Sequence, residues 1–137
     1  MSDRAESATY PLPAMVMGGG LVLDARETVS AVMRDLTAGV PVPTVAARFH
    51  NAIAVTTAAT CACLAEERGL RSVVLSGGVF QNRLLLERTM PLLTANGLRV
   101  LVPTLLPPGD GGISYGQAAV AAARLAAGGR SVAVTDP

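Results

Sequence analysis

The residues Val73-Val74-Leu75-Ser76-Gly77-Gly78-Val79-Phe80-Gln81-Asn82 decide how this chain folds. An apolar run rich in β-branched side chains is typical of a buried strand, and the residues after the two glycines favour a helix. The segment therefore predicts a strand that turns tightly into a helix. Such a turn can bind phosphate, because the first amides of a helix are unpaired and glycine has no Cβ in the way. Many α/β proteins nevertheless carry this turn and bind nothing there.

The length, net charge and apolar content of the chain limit the kinds of protein and partner that it can represent. The 137 residues suffice for one domain, 50% of them are hydrophobic, and the formal net charge is +1. A charge so close to zero predicts no basic patch for nucleic acid. No apolar run approaches the ~20 residues that span a bilayer, and residues 1–14 do not resemble a signal peptide. We therefore expect a cytoplasmic protein with neither a nucleic acid nor a membrane as partner.

Side chains suited to covalent chemistry are few. Cys61 and Cys63 stand two positions apart, about 200° apart on a helix, so they are predicted to be small buried side chains and not a metal pair or a local disulfide. Ser76 lacks a Gly-x-Ser-x-Gly setting, and the single histidine, His50, has no orienting acid nearby in the sequence. A hydrolytic triad is therefore not predicted.

The first third of the chain is predicted to hold a flexible segment, a short strand and a helix. Residues 1–19 combine polar residues, prolines and glycines, which predicts an unstructured segment with a flexible joint at its end. Residues 21–23 fit a short strand. Asp24 should cap a helix that ends near Ala38, and its buried face should hold the apolar residues at three-and-four spacing, Val29, Val32, Met33 and Leu36.

Two further helices follow. The second should cover residues 44–68, be buried on most of its surface and end at Gly69. Its inward stripe is predicted to contain Val45, Phe49, Ala52, Thr56, Ala59 and Cys63, widened by Ile53 and Leu64. The third should start near Phe80, and Pro91 should interrupt or restart it.

The strands should bring two glycine turns to one edge of a sheet. Residues 72–76 and 99–102 fit strands, and a strand, helix, strand sequence with short connections predicts parallel pairing. After the second strand come Pro107-Pro108-Gly109-Asp110-Gly111-Gly112, an alanine-rich helix over residues 113–126 and a polar tail over residues 129–137. Both glycine turns should therefore open towards the same crevice, where ligands bind in open α/β sheets.

Three motifs in this order resemble the C-terminal part of HypF, the carbamoyltransferases that mature nickel–iron hydrogenases. The motifs are Phe49-His50-Asn51, the run from Leu75 to Asn82, and the run from Pro107 to Gln117. The resemblance covers residues 21–126. It implies an α/β lobe over residues 20–128, with strands alternating with helices. This lobe would be the C-terminal one of two around a nucleotide cleft, as in the actin and sugar-kinase (ASKHA) fold.

The resemblance also implies a set of site residues and partners. ATP would bind through Ser76, Gly77, Gly78 and Asn82, Asp110 would help to hold a divalent metal, and His50, Gly111 and Gly112 would line the cleft. The paired histidines that complete the family's iron or zinc site have no match here, so the metal would need a partner lobe. The further implied partners are carbamoyl phosphate and HypE, whose C-terminal cysteine accepts the carbamoyl group. The family's other domains have no match either, which implies a fragment or split subunit.

Each assignment has a structural alternative. The two glycines would suit the turn alone, Asp110 would suit a helix N-cap, and His50 would suit a packed residue that donates one hydrogen bond. The function has alternatives too: a non-catalytic truncated lobe or binding module, half of a TsaD-like tRNA-modifying protein, or a small-molecule O-carbamoyltransferase. Because the chain offers no general base, we do not expect it to be catalytic alone.

Overall fold

A computed structural model describes residues 5–128 of the chain as an α/β protein. The elements in chain order are β1 Ala14–Met17, β2 Gly20–Leu23, α1 Arg26–Thr37, α2 Val42–Arg68, β3 Ser72–Val74, α3 Arg83–Ala95, β4 Arg99–Leu101 and α4 Ile113–Gly128. Short 3-10 helices cover Gly78–Gln81 and Asp110–Gly112. No helix in this part of the chain is both long and apolar enough to cross a membrane. The predicted tail over residues 129–137 lies outside the described residues.

Strands β3 and β4 form the parallel pair that the sequence predicts. Their register aligns Val73 with Val100, and the amide of Leu75 extends the ladder by donating to Leu101 at 2.9 Å. Val73 and Val100 pack inward beneath α2 and α3, whereas Val74 and Leu101 are exposed on the other face. Within residues 5–128, the pair is therefore covered on one face only.

Helix α2 carries two separate groups of buried side chains. Near its start, Val45 and Ala52 join a cluster with Tyr10, Leu12 and Ala31. Near its end, a second cluster lies between the helices α2 and α3 and the parallel strands, and it contains Ala58, Ala65, Leu75, Leu93 and Leu98. Gly69 ends the helix in the left-handed conformation, at φ 64°, as predicted.

The prediction of an unstructured segment over residues 1–19 is wrong for the part that the structure describes. Tyr10 is only 6% exposed, and its hydroxyl donates to the Asp35 carboxylate at 2.6 Å. Arg48 of α2 pairs with the carboxylates of both Glu6 and Asp35. The segment then continues into β1, which forms an antiparallel hairpin with β2. Long-range polar contacts thus hold a stretch whose local composition predicts disorder.

The glycines at the end of that segment form a tight turn and not a flexible joint. Gly18 and Gly19 link β1 to β2 with φ angles of 59° and 82°. Consecutive residues at positive φ give the turn that best matches the twist of a two-stranded hairpin, and glycine adopts it without strain.

Helix α1 buries a different face from the predicted one. Its buried residues are Thr28 and Ala31, because the Thr28 hydroxyl donates to the carbonyl of Pro11 and the N-terminal segment covers this side. The predicted face is largely outward: Val29 and Met33 are each 57% exposed and Leu36 is 43% exposed, although Val32 packs against the first cluster. The predicted cap is also displaced, since Ala25 is the N-cap, while Asp24 accepts from the amide of Arg26.

Helices α2 and α3 correct three further predictions. Phe49, Ala59 and Cys63 are exposed instead of lying on the inward stripe, and Cys61 is only half-buried. The closest contacts of α2 are made by small residues such as Ala47, Ala54 and Ala58. Pro91 does not interrupt α3, which runs through it to Ala95. A single proline removes one helical hydrogen bond, and the packing of Leu85, Thr89 and Leu93 keeps the helix continuous.

Candidate functional site

The two glycines after β3 have different structural roles. Gly77 has φ 98° and ψ 162°, a backbone region that is essentially restricted to glycine. Gly78 has no positive φ, and a Cβ placed on it would meet no atom within 4 Å. The turn therefore requires glycine at position 77, whereas position 78 would accommodate a larger side chain in this structure.

The strand does not pass directly into a helix as the sequence predicts. The 3-10 helix Gly78–Gln81 intervenes, and α3 begins only at Arg83. Asn82 is the N-cap of α3 and accepts from the amide of Leu85 at 3.2 Å, so it precedes the first helical turn. The positive end of the long helix accordingly lies at Asn82 and not at the glycines.

The two glycine turns meet, as the parallel topology predicts. The amide of Gly77 donates to the carbonyl of Pro108 at 2.5 Å, and the Ser76 hydroxyl donates to the same oxygen at 3.3 Å. A Cβ on Gly109 would lie 3.0 Å from the side-chain nitrogen of Gln81. Glycine at position 109 therefore permits the close approach of the two loops.

A cavity of about 420 Å³ opens where these turns meet α4. Four of the predicted site residues line it: Ser76, Gly77, Asp110 and Gly112. Gly78, Gly111, Asn82 and His50 are not among its lining residues. The sequence analysis missed the apolar part of the lining, which includes Pro103, Leu106, Pro108, Ile113 and Tyr115. The signal for these residues is their position in or next to the Pro-Pro-Gly-Asp-Gly-Gly turn.

Asp110 does not act as the helix cap that was its structural alternative. Gly109 is the N-cap of the Asp110–Gly112 helix, and no side chain makes a capping hydrogen bond there. The Asp110 residue is exposed at the cavity. Its carboxylate suits a hard divalent cation, but residues 5–128 contain no group of three His, Cys, Asp or Glu side chains that could hold one. That part of the chain therefore does not form a complete metal site of such side chains by itself.

The glycines after Asp110 are held closely by Pro107. A Cβ on Gly112 would lie 2.9 Å from the Pro107 carbonyl oxygen, and one on Gly111 would lie 3.0 Å from the proline ring. Backbone cannot move aside as easily as the end of a flexible side chain. Gly112 is therefore required by the shape of the loop, independently of any ligand.

His50 and Asn82 form a polar pair beside the first turn. His50 Nε2 lies 2.8 Å from Asn82 Nδ2, and His50 Nδ1 lies 2.7 Å from the carbonyl oxygen of Ala46. His50 is half-buried and Asn82 is exposed. His50 thus makes the hydrogen bond to a carbonyl that its structural alternative predicts, and a second bond to Asn82.

Comparisons with known proteins identify the architecture around this site. Residues 1–117 match the family described as "Carbamoyltransferase, Kae1-like Domain, second subdomain". The chain is 33% identical over 123 residues to carbamoyltransferase HypF2 of Cupriavidus necator and 34% identical over 108 residues to carbamoyltransferase HypF of Synechocystis. The alignments cover 88% and 79% of this chain, but only 15% and 13% of those proteins. The chain thus corresponds to a small part of these relatives.

Solved structures give the same result. A crystal structure of full-length HypF in a phosphate- and nucleotide-bound form matches 91% of this chain, with a TM-score of 0.80 and 33% identity. The crystal structure of HypF from T. kodakarensis matches 92% of this chain, with a TM-score of 0.73 and 28% identity. The chain covers 16% of each of those chains.

Proposed function

Because the chain belongs to the HypF family of carbamoyltransferases, within the second subdomain of its Kae1-like domain, we propose that it forms one wall of a nucleotide site. The assembled enzyme would use ATP and carbamoyl phosphate to carbamoylate the C-terminal cysteine of HypE in nickel–iron hydrogenase maturation. The lobe would be of the actin and sugar-kinase type. The observation that carries the nucleotide assignment is Gly78, a glycine beside the cavity turn that the backbone does not require.

Gly78 favours ligand binding over simple turn formation. A glycine that serves only the turn has a positive φ or a close neighbour, as Gly77 and Gly112 do. Gly78 has neither: a Cβ placed on it would meet no atom within 4 Å, and it directly follows Gly77, which lines the cavity. Absence of a side chain here would let phosphate or ribose oxygens approach the main chain. A related full-length HypF was crystallised in a phosphate- and nucleotide-bound form, which supports a nucleotide site in the assembled protein.

Asp110 would contribute to a metal site only in an assembled protein. It is the carboxylate among the residues that line the cavity, and an iron or zinc ion would need further ligands from a partner lobe. When bound, such an ion would offset the negative charge of phosphate groups. Within this chain, Asp110 would hold the ion.

Several exposed apolar surfaces support a partner lobe. Parallel strands are normally covered on both faces, yet Val74 and Leu101 remain 62% and 40% exposed. All of residues 113–127 in α4 are exposed, and Arg124 is the only charged residue among them. A helix that is apolar on every side is typically buried. We therefore propose that a HypF-like chain carrying the other lobe packs against α4 and the outer face of β3 and β4.

Titration calorimetry on the complex tests the nucleotide assignment. A HypF-like chain that has the paired histidines but lacks this subdomain would be purified together with the full chain, and ATP affinity measured. Gly78→Val should weaken ATP binding by about tenfold or more, because its side chain would occupy the approach to the turn. Gly20→Val is the matched control, since Gly20 also has ordinary φ and no neighbour closer than 3.8 Å and belongs to β2.

Equal ATP affinity in Gly78→Val and Gly20→Val would contradict the assignment of Gly78 to the nucleotide site. Pyrophosphate release from ATP with carbamoyl phosphate tests the rest of the proposal. The complex should show it and the isolated chain should not, because the chain would supply only one wall of the site. Clear turnover by the isolated chain would contradict the need for a partner lobe.

A further inference from the structure

A continuous set of hydrogen bonds joins the middle of α2 to the start of α3. The amide of Leu85 donates to Asn82 Oδ1 at 3.2 Å, Asn82 Nδ2 lies 2.8 Å from His50 Nε2, and His50 Nδ1 lies 2.7 Å from the Ala46 carbonyl oxygen. The set therefore begins at one backbone group and ends at another. His50 and Asn82 are 32 positions apart in the sequence.

The backbone ends fix the direction of every bond between them. A backbone amide can only donate, so the Asn82 oxygen faces Leu85 and its NH2 group faces His50. A carbonyl can only accept, so His50 carries its proton on Nδ1. His50 Nε2 is then the free acceptor for the Asn82 NH2 group. Every donor meets an acceptor only when the ring is neutral and has this tautomer.

We propose that His50 is a positioning residue, which holds the Asn82 amide and thereby the 3-10 turn that carries Gly78. Asn82 directly follows that turn and is itself exposed, so few other contacts restrain its side chain. His50 is half-buried on a long helix, and its ring meets Phe49 edge-on with centroids 6.5 Å apart. His50, held on α2, thus orients the exposed side chain of Asn82. The effect on ATP binding rests on the proposed function, whereas the effect on the turn does not.

The same geometry changes the role expected of Asn82. One lone pair of its oxygen and one of its two N–H groups are already used within the protein. Asn82 therefore acts mainly as a link between His50 and the turn, and a direct contact with a nucleotide could use only its second N–H group and the remaining lone pair of its oxygen.

A pair of substitutions at position 50 separates positioning from bulk packing. The amide of glutamine reaches approximately as far as Nε2 and can accept from Asn82, whereas the amide of asparagine reaches only as far as Nδ1. Both remove the imidazole ring. We expect His50→Gln to retain the protection of the Leu85 amide from hydrogen exchange. In His50→Asn, the protection of the Leu85 amide should fall about fivefold, in line with the loss of one net hydrogen bond. Long-range nitrogen-15 NMR of the full wild-type chain should show the Nδ1-protonated tautomer.

ATP affinity in the complex is the second readout. His50→Asn should weaken it by about fivefold and His50→Gln should leave it close to wild type, if the turn contacts the nucleotide. If the wild-type complex does not bind ATP, the proposed function is wrong. The His50 tautomer and the exchange of the Leu85 amide would still test the positioning role. Nε2 protonation, or identical Leu85 exchange in the two variants, would overturn it.

Discussion

The amide of Gly77 donates to the carbonyl of Pro108, so a main-chain hydrogen bond of 2.5 Å joins the two glycine loops of the site. The bond involves no side chain of either loop. The relative placement of the loops therefore depends on the backbone conformation at Gly77 and on the course of the proline-rich segment, and less on which side chains face the cavity.

Substitution at the two turn glycines should have opposite consequences for stability. Gly77→Ala forces a side chain into a glycine-only backbone region and should destabilise the chain by about 1–3 kcal/mol. Gly78→Ala should be nearly neutral, because its Cβ would meet open space. Urea unfolding followed by circular dichroism measures both. Equal losses in the two variants would contradict the division of roles.

Gly116→Ala should stabilise the isolated chain and weaken its assembly. Gly116 lies within α4, and a Cβ on it would meet nothing within 4 Å. Replacing glycine in a helix interior by alanine contributes about 0.5–1 kcal/mol. If the partner lobe approaches α4 closely at this position, the added methyl group should lower the affinity of the complex. Thermal unfolding of the chain and sedimentation of the complex give the two values, and a variant that assembles more tightly would argue against close approach.

The second core cluster should depend strongly on Leu93. Its side chain is fully buried, so Leu93→Ala should cost about 2–5 kcal/mol through lost contacts and a cavity. Leu105→Ala is the control, because Leu105 is 95% exposed and should change stability by less than about 0.5 kcal/mol. Denaturant midpoints of the two variants provide the comparison. A small loss at Leu93 would show that this cluster is loosely packed.

Acid should release the N-terminal segment. The Ala8 amide and Arg48 keep the pKa of Glu6 below its ordinary value, and the Tyr10 hydroxyl and Arg48 do the same for the pKa of Asp35. Both carboxyls thus stabilise the fold above their ordinary pKa values of about 4, and this stabilisation is lost as pH falls below them. The protection of the backbone amides in residues 8–12, measured relative to the intrinsic hydrogen-exchange rate at each pH, should therefore decrease as pH falls below about 4. In Arg48→Gln the onset should shift to higher pH; an unchanged profile would exclude the ion pairs as the cause.

At alkaline pH the same segment responds through Tyr10. Burial and the neighbouring Asp35 carboxylate raise the pKa of Tyr10 to about 12. The unfolded chain releases this proton near pH 10, so the contribution of Tyr10 to stability is complete below about pH 10 and is lost towards pH 12. Tyr10→Phe should remove this part of the alkaline destabilisation.

The parallel strands and the shared crevice follow from local sequence signals. β-Branched runs, short connections and glycine turns at both strand ends suffice to predict that Gly77 and Asp110 lie at one cavity. The 3-10 turn was not predictable in the same way. Whether a helix begins at Phe80 or Arg83 depends on the Asn82 cap, and either boundary fits the apolar spacing.

The first half of the fold required contacts that no local pattern shows. The Asn51 side chain donates to the carbonyls of Glu6 and Ala8, and Thr56 donates to the carbonyl of Leu12. These bonds hold residues 6–12 along α2. In this position the segment also covers Thr28 of α1, whose hydroxyl donates to the carbonyl of Pro11. The apolar spacing of α1 correctly indicated a helix but gave the wrong buried face, because residues 6–12 cover the side with Thr28. The exposed apolar residues of α1, such as Val29 and Met33, could contact another surface.

Helix α2 has consequences for the order in which the chain loses structure. The cluster around Tyr10 and the cluster around Leu93 share this helix but have no buried residue in common. Two cores joined by one helix can melt as separate cooperative units. The unit with Tyr10 depends on titrating groups and the unit with Leu93 on apolar packing, so acid would open the first while the second persists. An intermediate of this kind would retain the parallel strands and the glycine turns, with the N-terminal hairpin already detached.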